Sequence, residues 1–315
     1  MKRLLFVTLV IIVFSACSCG GKKTKDNTIS MSGAFALYPM AIKWSEEYKK
    51  TNSDIYFNIS AGGAGKGMAD TLSGMVDMGM VSREVSTEEI ERGAWFVSVA
   101  IDAVIPVMNS ANPLHSEIKS KGLRKEEFAS IWDKDTPKKW NKISRLYSSD
   151  VSLNVFTRSD ACGAAQTWGA FFGKKQEQLN GVGVYGDPGI AEAVRKDPLG
   201  IGYNNINFAY DKDTKKSIKG LSVIPIDING NGKIDNAENI YNTRDELTHA
   251  IAEGKFPSPP ARKLYLVLKG APQKESIKSF LKWIMTDGQK YVQDTGYIML
   301  LPEEMKLNIN KLGDR

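Results

Sequence analysis

Histidine and cysteine are scarce in this chain of 315 residues, which contains two histidines and three cysteines. His115 and His249 lie far apart in sequence, and no histidine and cysteine residues have the spacing of a zinc site. A hydrolase would need a nucleophile beside a base, or two metal ions held by clustered carboxylates. The acidic residues are scattered except in one loop, so we expect a protein that is not an enzyme.

Basic clusters are also missing, although the formal net charge is +6. Lysine and arginine are spread along the chain, and no basic run with interleaved aromatic residues is typical of a nucleic-acid interface. We therefore predict no nucleic-acid partner. Internal repeats are absent too, and the chain length suggests two domains of ordinary size.

The N-terminus reads as an export signal. Lys2 and Arg3 precede an apolar run that ends at Phe14, which is shorter than the roughly 20 residues of a membrane span. The following FSAC resembles a bacterial lipobox and makes Cys17 the predicted lipidation site. We expect a lipoprotein signal peptide over 1–17, a polar tether over 18–27 and a membrane-anchored, extracytoplasmic protein. The alternatives are lipidation at Cys19 or a plain secreted protein cut nearby.

Strand-like and helix-like segments alternate after residue 28. IYFNIS and AIDAVIPVMN are rich in β-branched and apolar residues, whereas MAIKWSEEYKK has the pattern of an amphipathic helix. This alternation predicts an α/β architecture with largely parallel sheets.

Two predicted strand-to-helix turns consist of small residues, AGGAGKG at 61–67 and ACGAA at 161–165, and SGAFALYP is a third such turn. A helix N-terminus offers unpaired N–H groups that bind anions, and small residues let an anion approach them. Arg158, just before the second turn, adds a bidentate fork for an oxyanion. AGGAGKG is not a nucleotide-binding P-loop, because Ser60 and Gly67 replace its first glycine and its hydroxyl residue. The turns therefore predict an anion site.

Taken in order, these segments resemble bacterial phosphate-binding proteins, the extracytoplasmic component of phosphate ABC transporters. The resemblance covers nearly the whole mature chain. It rests on the blocks GAFALYPMAIKW, GAGKG with VDMGMVSREVS, EEFASIWDKDTPKKW, TRSDACGAAQTW and GDPGIAEAVRKDPLGIGY. It implies a periplasmic-binding-protein type 2 fold with two α/β lobes, lobe 1 at 28–105 and 267–315 and lobe 2 at 106–266. The two crossing strands are expected near Ile105–Val107 and Leu264–Lys269.

The resemblance also implies a monomer that captures phosphate between closing lobes and delivers it to an ABC permease. Three alternatives stay open. The ligand could be another oxyanion such as sulfate or molybdate, because different ligands reuse one scaffold. The chain could instead be a phosphate-sensing lipoprotein, or a calcium-dependent structural surface protein.

The ligand site follows from matching positions. Arg158 corresponds to the arginine that grips the oxyanion in the family, and Ser82 stands where some members carry an aspartate that accepts the phosphate proton. At the other positions this sequence has lost the family's side-chain hydroxyls: Cys162-Gly163-Ala164 replaces Ser-Gly-Thr, Ala64 replaces a serine, and Phe35-Ala36 replaces a Thr-Phe type pair. The predicted ligand-binding set is Ala34, Phe35, Ala36, Ala64, Gly65, Lys66, Ser82, Arg158, Cys162, Gly163 and Ala164.

With few hydroxyls left, main-chain groups are expected to satisfy the buried oxyanion. The candidates are the N–H groups of residues 34–36, 64–66 and 162–164. Cys162 could equally be a small core residue, and Lys66 could face solvent. Asp102 and Asp160 could orient Arg158 or Arg83, or could cap turns.

A calcium-type loop spans 227–238. Its sequence DINGNGKIDNAE fits the complete EF-hand loop pattern, and the alternative is a turn without metal. Pro225 ends the preceding β-like segment, so no helix enters the loop, and a single loop cannot open as EF-hand sensors do. We therefore expect a structural Ca²⁺ ion. Its predicted ligands are Asp227, Asn229, Asn231, the Lys233 carbonyl, Asp235 and Glu238.

Overall fold

The structure is a computed structural model and describes residues 27–313. The predicted signal peptide, most of the predicted tether and Cys17 lie outside the described residues. Within residues 27–313, no helix is both long enough and apolar enough to cross a membrane.

Strands and helices alternate through most of the chain, as the sequence predicts. The N-terminal elements are β1 (Thr28–Gly33), α1 (Tyr38–Lys49), β2 (Tyr56–Ala61), α2 (Ala64–Ser73), β3 (Met78–Val81), α3 (Thr87–Glu91) and β4 (Ala94–Asn109). The middle elements are α4 (His115–Lys121), α5 (Lys125–Ile131), α6 (Trp140–Ile143), β5 (Asn154–Arg158), α7 (Gly163–Phe171), β6 (Val182–Val184), α8 (Gly186–Lys196), β7 (Gly200–Asn205), β8 (Leu221–Val223) and α9 (Arg244–Ala252). The C-terminal elements are β9 (Ala261–Lys269), α10 (Glu275–Met285) and α11 (Pro302–Lys311).

The strands form one mixed sheet in the order β2-β1-β3-β9-β4-β7-β5-β6, and β8 pairs with β4. β1 runs parallel to β2 and β3, and β5 runs parallel to β6 and β7. In this strand order, the antiparallel pairs are β3 with β9, β9 with β4, and β4 with β7. The predicted α/β class is therefore confirmed, but the sheet is mixed rather than largely parallel, because the long strands β4 and β9 pair antiparallel with their neighbours.

Two separate hydrophobic cores form on this sheet. We call the part around the first core lobe 1; it contains β1–β3, β9, α1, α2 and α10. Lobe 2 surrounds the second core, to which β5, β7, α5 and α7 contribute. Leu264, Tyr265 and Leu266 belong to the first core, a few residues before the return to lobe 1 predicted at residue 267.

Strand β4 runs through both lobes. Residues 94–103 pair with β9, whereas residues 104–108 pair with β7. The partner changes between Ala103 and Val104, close to the crossing predicted at Ile105–Val107. Nearly every residue of β4 is buried, because helices of both lobes cover the sheet.

Helix α10 shows why these segments fold against the sheet. Its buried residues Ile277, Phe280, Leu281 and Ile284 follow the spacing that places side chains on one helix face. Phe280 contacts the rings of Tyr48 and Phe57, with centroids 5.0 and 4.9 Å apart. Full burial of one such side chain contributes about 1.5–3 kcal/mol, so packing rather than helix propensity fixes α10 on lobe 1.

Candidate functional site

The predicted anion-binding turns follow the carboxyl ends of β1, β2 and β5, and they meet between the lobes. The N–H of Gly65, in the first turn of α2, donates to the carbonyl oxygen of Ala161 at 3.1 Å. Ser82, which follows β3, approaches Gly163 at the start of α7. Turns from both lobes therefore form one region, in which helices α2 and α7 begin.

Arg158 lies at the centre of this region, and its side chain is only 1% exposed. Its Nε and Nη2 atoms donate to the two carboxylate oxygens of Asp160 at 2.7 and 2.6 Å. Its Nη1 atom donates to Asp187 Oδ2 at 2.6 Å. Burial opposes the charged form, yet Asp187 and Asp160 keep the pKa of Arg158 above its ordinary value, so the guanidinium stays charged. Two carboxylates thus fix its orientation.

An aromatic side chain from lobe 1 covers the guanidinium. The ring centroid of Phe35 lies 5.7 Å from Arg158 Cζ, within the range of a cation–π contact. The same ring makes edge contacts with Tyr185 and Phe208 of lobe 2, at 6.0 and 6.4 Å between centroids. Phe35 therefore joins the two lobes over Arg158 and excludes water from it.

Asp187 links Arg158 to the strands that cross between the lobes. Its Oδ1 atom accepts hydrogen bonds from the main-chain N and the Nδ2 of Asn205, at 3.1 and 2.8 Å. Asn205 Oδ1 accepts in turn from Arg262 of β9. Arg262 lies opposite Asp102 of β4 in the strand register, with 3.6 Å between Nη2 and Oδ2. A continuous buried network therefore runs from the predicted ligand arginine to the crossing strands.

Glycine at two positions allows the lobes to touch through their main chains. A Cβ atom on Gly163 would lie 2.1 Å from the carbonyl oxygen of Ser82, closer than atoms can pack. Gly63 has a φ of +89°, and a Cβ there would lie 2.9 Å from Asp160 Oδ2. Only glycine fits this arrangement at either position.

Nine main-chain N–H groups were predicted as oxyanion donors, and three of them already have an acceptor. These three belong to Ala34, Gly65 and Cys162, which donate to the Met80 carbonyl, the Ala161 carbonyl and Gln176 Oε1 at 2.8, 3.1 and 3.2 Å. The remaining six have no protein acceptor within residues 27–313. They are the N–H groups of Phe35, Ala36, Ala64, Lys66, Gly163 and Ala164.

The structure also shows where the side chains of Cys162, Lys66 and Ser82 lie, for which the sequence allows more than one role. Cys162 is 3% exposed, and its Sγ accepts from the Ala165 N–H at 3.4 Å, so it caps α7. Burial raises the pKa of this thiol to about 12, and the sulfur is therefore protonated at neutral pH. The Lys66 ammonium pairs with Asp70 rather than with Asp160 or Asp187, the carboxylates that hold Arg158. Ser82 is 2% exposed.

Of the two aspartates considered as orienting groups, Asp160 holds Arg158, whereas Asp102 lies beside Arg262. Arg83 instead pairs with Glu89 at 2.6 Å. Sequence reasoning missed Asp187, Asn205 and Arg262. The only signal for Asp187 was its place after Gly186 at the start of a helix, which repeats the pattern of the other turns.

The calcium-type loop lies in lobe 2 between β8 and α9, and the element directly before it is strand β8. The carboxylates of Asp227 and Glu238 are buried and accept hydrogen bonds from main-chain N–H groups of the loop. Within residues 27–313, no group of three or more histidine, cysteine, aspartate or glutamate side chains is arranged to hold a metal ion. A Ca²⁺ site in this loop would therefore depend on asparagine and main-chain oxygens as well.

Two lobes that enclose a buried charged site are typical of a protein that binds a small ligand in the cleft between them. A family model for the PBP superfamily domain matches residues 21–288, and the chain belongs to this superfamily. Protein SphX of Synechococcus elongatus is 25% identical over 284 residues, 86% of this chain and 77% of that protein. Phosphate-binding protein PstS of Xylella fastidiosa, strain Temecula1, is 25% identical over 316 residues, 90% of this chain and 85% of that protein.

Solved structures confirm the type 2 fold. A Clostridium perfringens substrate-binding protein with bound phosphate superposes with a TM-score of 0.70 at 23% identity, over 87% of this chain and all of that one. An ABC-type phosphate transport receptor from Vibrio cholerae gives a TM-score of 0.62 at 18% identity, over 86% of this chain and all of that one.

Asp102 makes the stability of the protein depend on pH. Burial raises its pKa from 3.8 to about 7, because the attraction of Arg262 offsets only part of the desolvation and Asp187 adds a smaller repulsion. Tyr297 is a further titratable group beside it. Between about pH 4 and about pH 7, the Asp102 carboxyl group keeps its proton in the folded state but has lost it in the unfolded state. Stability from this group is therefore full below about pH 4 and falls until about pH 7.

The substitution Asp102→Asn keeps the shape of the side chain and removes its ionisable carboxyl group. We expect the melting temperature of the variant, relative to that of the wild type, to increase between about pH 5 and about pH 8. Thermal unfolding measured across this range tests it. The exposed Asp213→Asn should give a constant difference, and a constant difference for Asp102→Asn as well would contradict the assignment.

Proposed function

We propose that the protein is an exported solute-binding protein that captures phosphate between its lobes and delivers it to an ABC permease without catalysing a reaction. The observation that carries this proposal is Arg158, buried and oriented by two carboxylates where helix N-termini of both lobes meet. The names of the relatives support phosphate as the ligand. The protonated Cys162 thiol offers no nucleophile for a covalent step.

The number of available donors suits an oxyanion. A guanidinium has five N–H donors, and the carboxylates use three, so two remain. Six main-chain N–H groups of the surrounding turns add to these. Anions bind well at helix N-termini, since the N–H groups point at the ligand and the helix dipole favours negative charge. Main-chain donors thus replace the hydroxyls that the sequence lacks.

Sulfate and molybdate are the competing ligands, and Ser82 is the reason to test them. At this position some phosphate-binding proteins carry an aspartate that accepts a proton from phosphate. Ser82 is buried against Gly163 and supplies a hydroxyl rather than a carboxylate. Phosphate remains our proposal because Asp160 and Asp187, which lie against Arg158, are carboxylates that can accept a proton or hydrogen bond from HPO₄²⁻.

Arg158→Lys tests the role of the guanidinium. Lysine keeps the charge but loses the planar fork, so we expect phosphate affinity to fall by about 10- to 100-fold. Isothermal titration calorimetry with phosphate, sulfate, molybdate and arsenate measures the affinity of the wild type and the variant. Circular dichroism establishes that the variant is folded.

The matched control is Arg124→Lys, which alters the arginine just before α5 that is ion-paired with Glu127 at 2.9 Å, outside the site. Its affinity for phosphate should equal that of the wild type. If the wild-type protein binds no phosphate at micromolar concentrations, phosphate is not the ligand; tight binding of sulfate or molybdate instead would identify another oxyanion.

Gly163→Ala tests whether the observed lobe contact is the ligand-bound form. The added methyl group would collide with Ser82 and hold the lobes apart, so we expect phosphate to bind about tenfold more weakly or worse. Small-angle scattering should show less compaction on phosphate addition. The control is Gly183→Ala on β6, where the nearest heavy atom lies 3.3 Å from the added Cβ. We expect the lobes of this variant to close normally. Wild-type affinity in Gly163→Ala would contradict the role of this contact.

We further propose that the protein is anchored to the membrane through a lipid on Cys17. The lipobox-like FSAC supports this assignment. Labelling with radioactive palmitate in a bacterial host should mark the wild type and the Cys19→Ser variant but not Cys17→Ser. Equal labelling of Cys17→Ser would contradict it.

A further inference from the structure

The loop at 227–238 has features that the proposed capture of phosphate does not explain. It connects Ile226, which bridges to Leu123, with the segment that leads to α9. Its twelve residues contain three carboxylates and one lysine, a local net charge of −2. No arginine or lysine forms a salt bridge with these carboxylates in the part of the chain that the structure describes.

Main-chain hydrogen bonds already hold the loop in a wound form. Asp227 Oδ1 accepts from the Gly230 N–H at 2.8 Å, and Asp227 Oδ2 accepts from the Gly232 N–H at 2.9 Å. Gly232 has a φ of +80°, a conformation that favours glycine, and it occupies the sixth position of the loop. EF-hand loops require glycine at this position for their sharp turn.

Glu238 provides independent evidence for a ligand. The residue is 4% exposed, and its Oε1 accepts from the N–H groups of Ile228 and Asn229 at 2.7 and 2.9 Å. These contacts direct the carboxylate into the start of the loop. Its second oxygen, Oε2, is buried and has no hydrogen-bond partner within residues 27–313. A buried carboxylate oxygen without a partner is costly, and a cation in the loop would remove that cost.

The donor atoms select the type of cation. Carboxylates, amide oxygens and one main-chain carbonyl are hard ligands, and the loop contains no sulfur or imidazole, which zinc and copper prefer. The amide oxygens of Asn229 and Asn231 each accept one main-chain N–H, at 3.0 Å, and retain a second lone pair. Glu238 occupies the twelfth position of the loop, where EF-hand loops have the glutamate that binds Ca²⁺ through both carboxylate oxygens.

We propose that residues 227–238 bind one Ca²⁺ ion, which stabilises the contact of this loop with residues 120–123 in lobe 2. The Asp227 N–H donates to the Leu123 carbonyl at 2.9 Å, and the Ile234 N–H donates to the Ser120 carbonyl at 2.8 Å. The loop therefore fastens the end of α4 and the connection to α5 to the segment that follows β8. With no entering helix to move, the ion stabilises the lobe instead of switching it.

Thermal unfolding of the full chain, freed of metal with a chelator and kept in phosphate-free buffer, tests this site. About 2 mM Ca²⁺ should raise the melting temperature by about 5 °C, and the same concentration of Mg²⁺ should raise it much less. Glu238→Gln keeps the two hydrogen bonds to Oε1 but removes the charge, and the Ca²⁺-dependent rise should disappear. The exposed Asn231→Ala should require several-fold more Ca²⁺ for the same rise.

Asp213→Asn, in an exposed turn of the same lobe, is the matched control and should respond as the wild type does. If Glu238→Gln does not fold, Asn231→Ala decides the result. An absent Ca²⁺ effect in the wild type, or an equal effect in the wild type and both loop variants, overturns the proposal. Phosphate affinity is measured separately by calorimetry, so failure of the calcium site leaves the function of the cleft untouched.

Discussion

The rest of the site depends on the ion pairs that Arg158 makes with Asp160 and Asp187. A guanidinium buried without partners would be too costly, and one that could rotate would not present its remaining donors in a fixed direction. The two carboxylates solve both problems, because they stabilise the charge and leave two N–H donors for a ligand. Phe35 adds the cover that keeps water away. The turns of small residues then bring main-chain donors to the same place.

This ion-pair centre is connected by hydrogen bonds to the strands that cross between the lobes. Asp187 reaches Asn205, Asn205 reaches Arg262, and Arg262 faces Asp102 across the paired strands β9 and β4. A ligand that binds to Arg158 therefore contacts one end of a hydrogen-bonded network whose other end lies on the crossing strands. Such a network provides a physical route from the ligand to the arrangement of the lobes.

The sequence predicts well those features whose cause is local. Alternating strand and helix patterns predict the α/β class, and small residues after β1, β2 and β5 predict the turns that meet. Asp160 can be inferred from the sequence because it lies two residues from Arg158. Asp187 and Arg262 cannot, because only the folded arrangement of α8, β7 and β9 connects them to Arg158. The capping role of Cys162 was equally hidden, since burial and hydrogen bonding of one sulfur depend on the surrounding core.

Strand β4 has a consequence for the protein as a whole. Its first ten residues complete the sheet of lobe 1, and its last residues complete the sheet of lobe 2. Lobe 1 also needs β9, which the ribosome delivers only after all of lobe 2 has been made. Neither lobe is therefore a separable module, and a fragment that ends before β9 leaves the edge of β3 unpaired. The sheet of lobe 1 can therefore be completed during synthesis only after β9, close to the C-terminus, has been made.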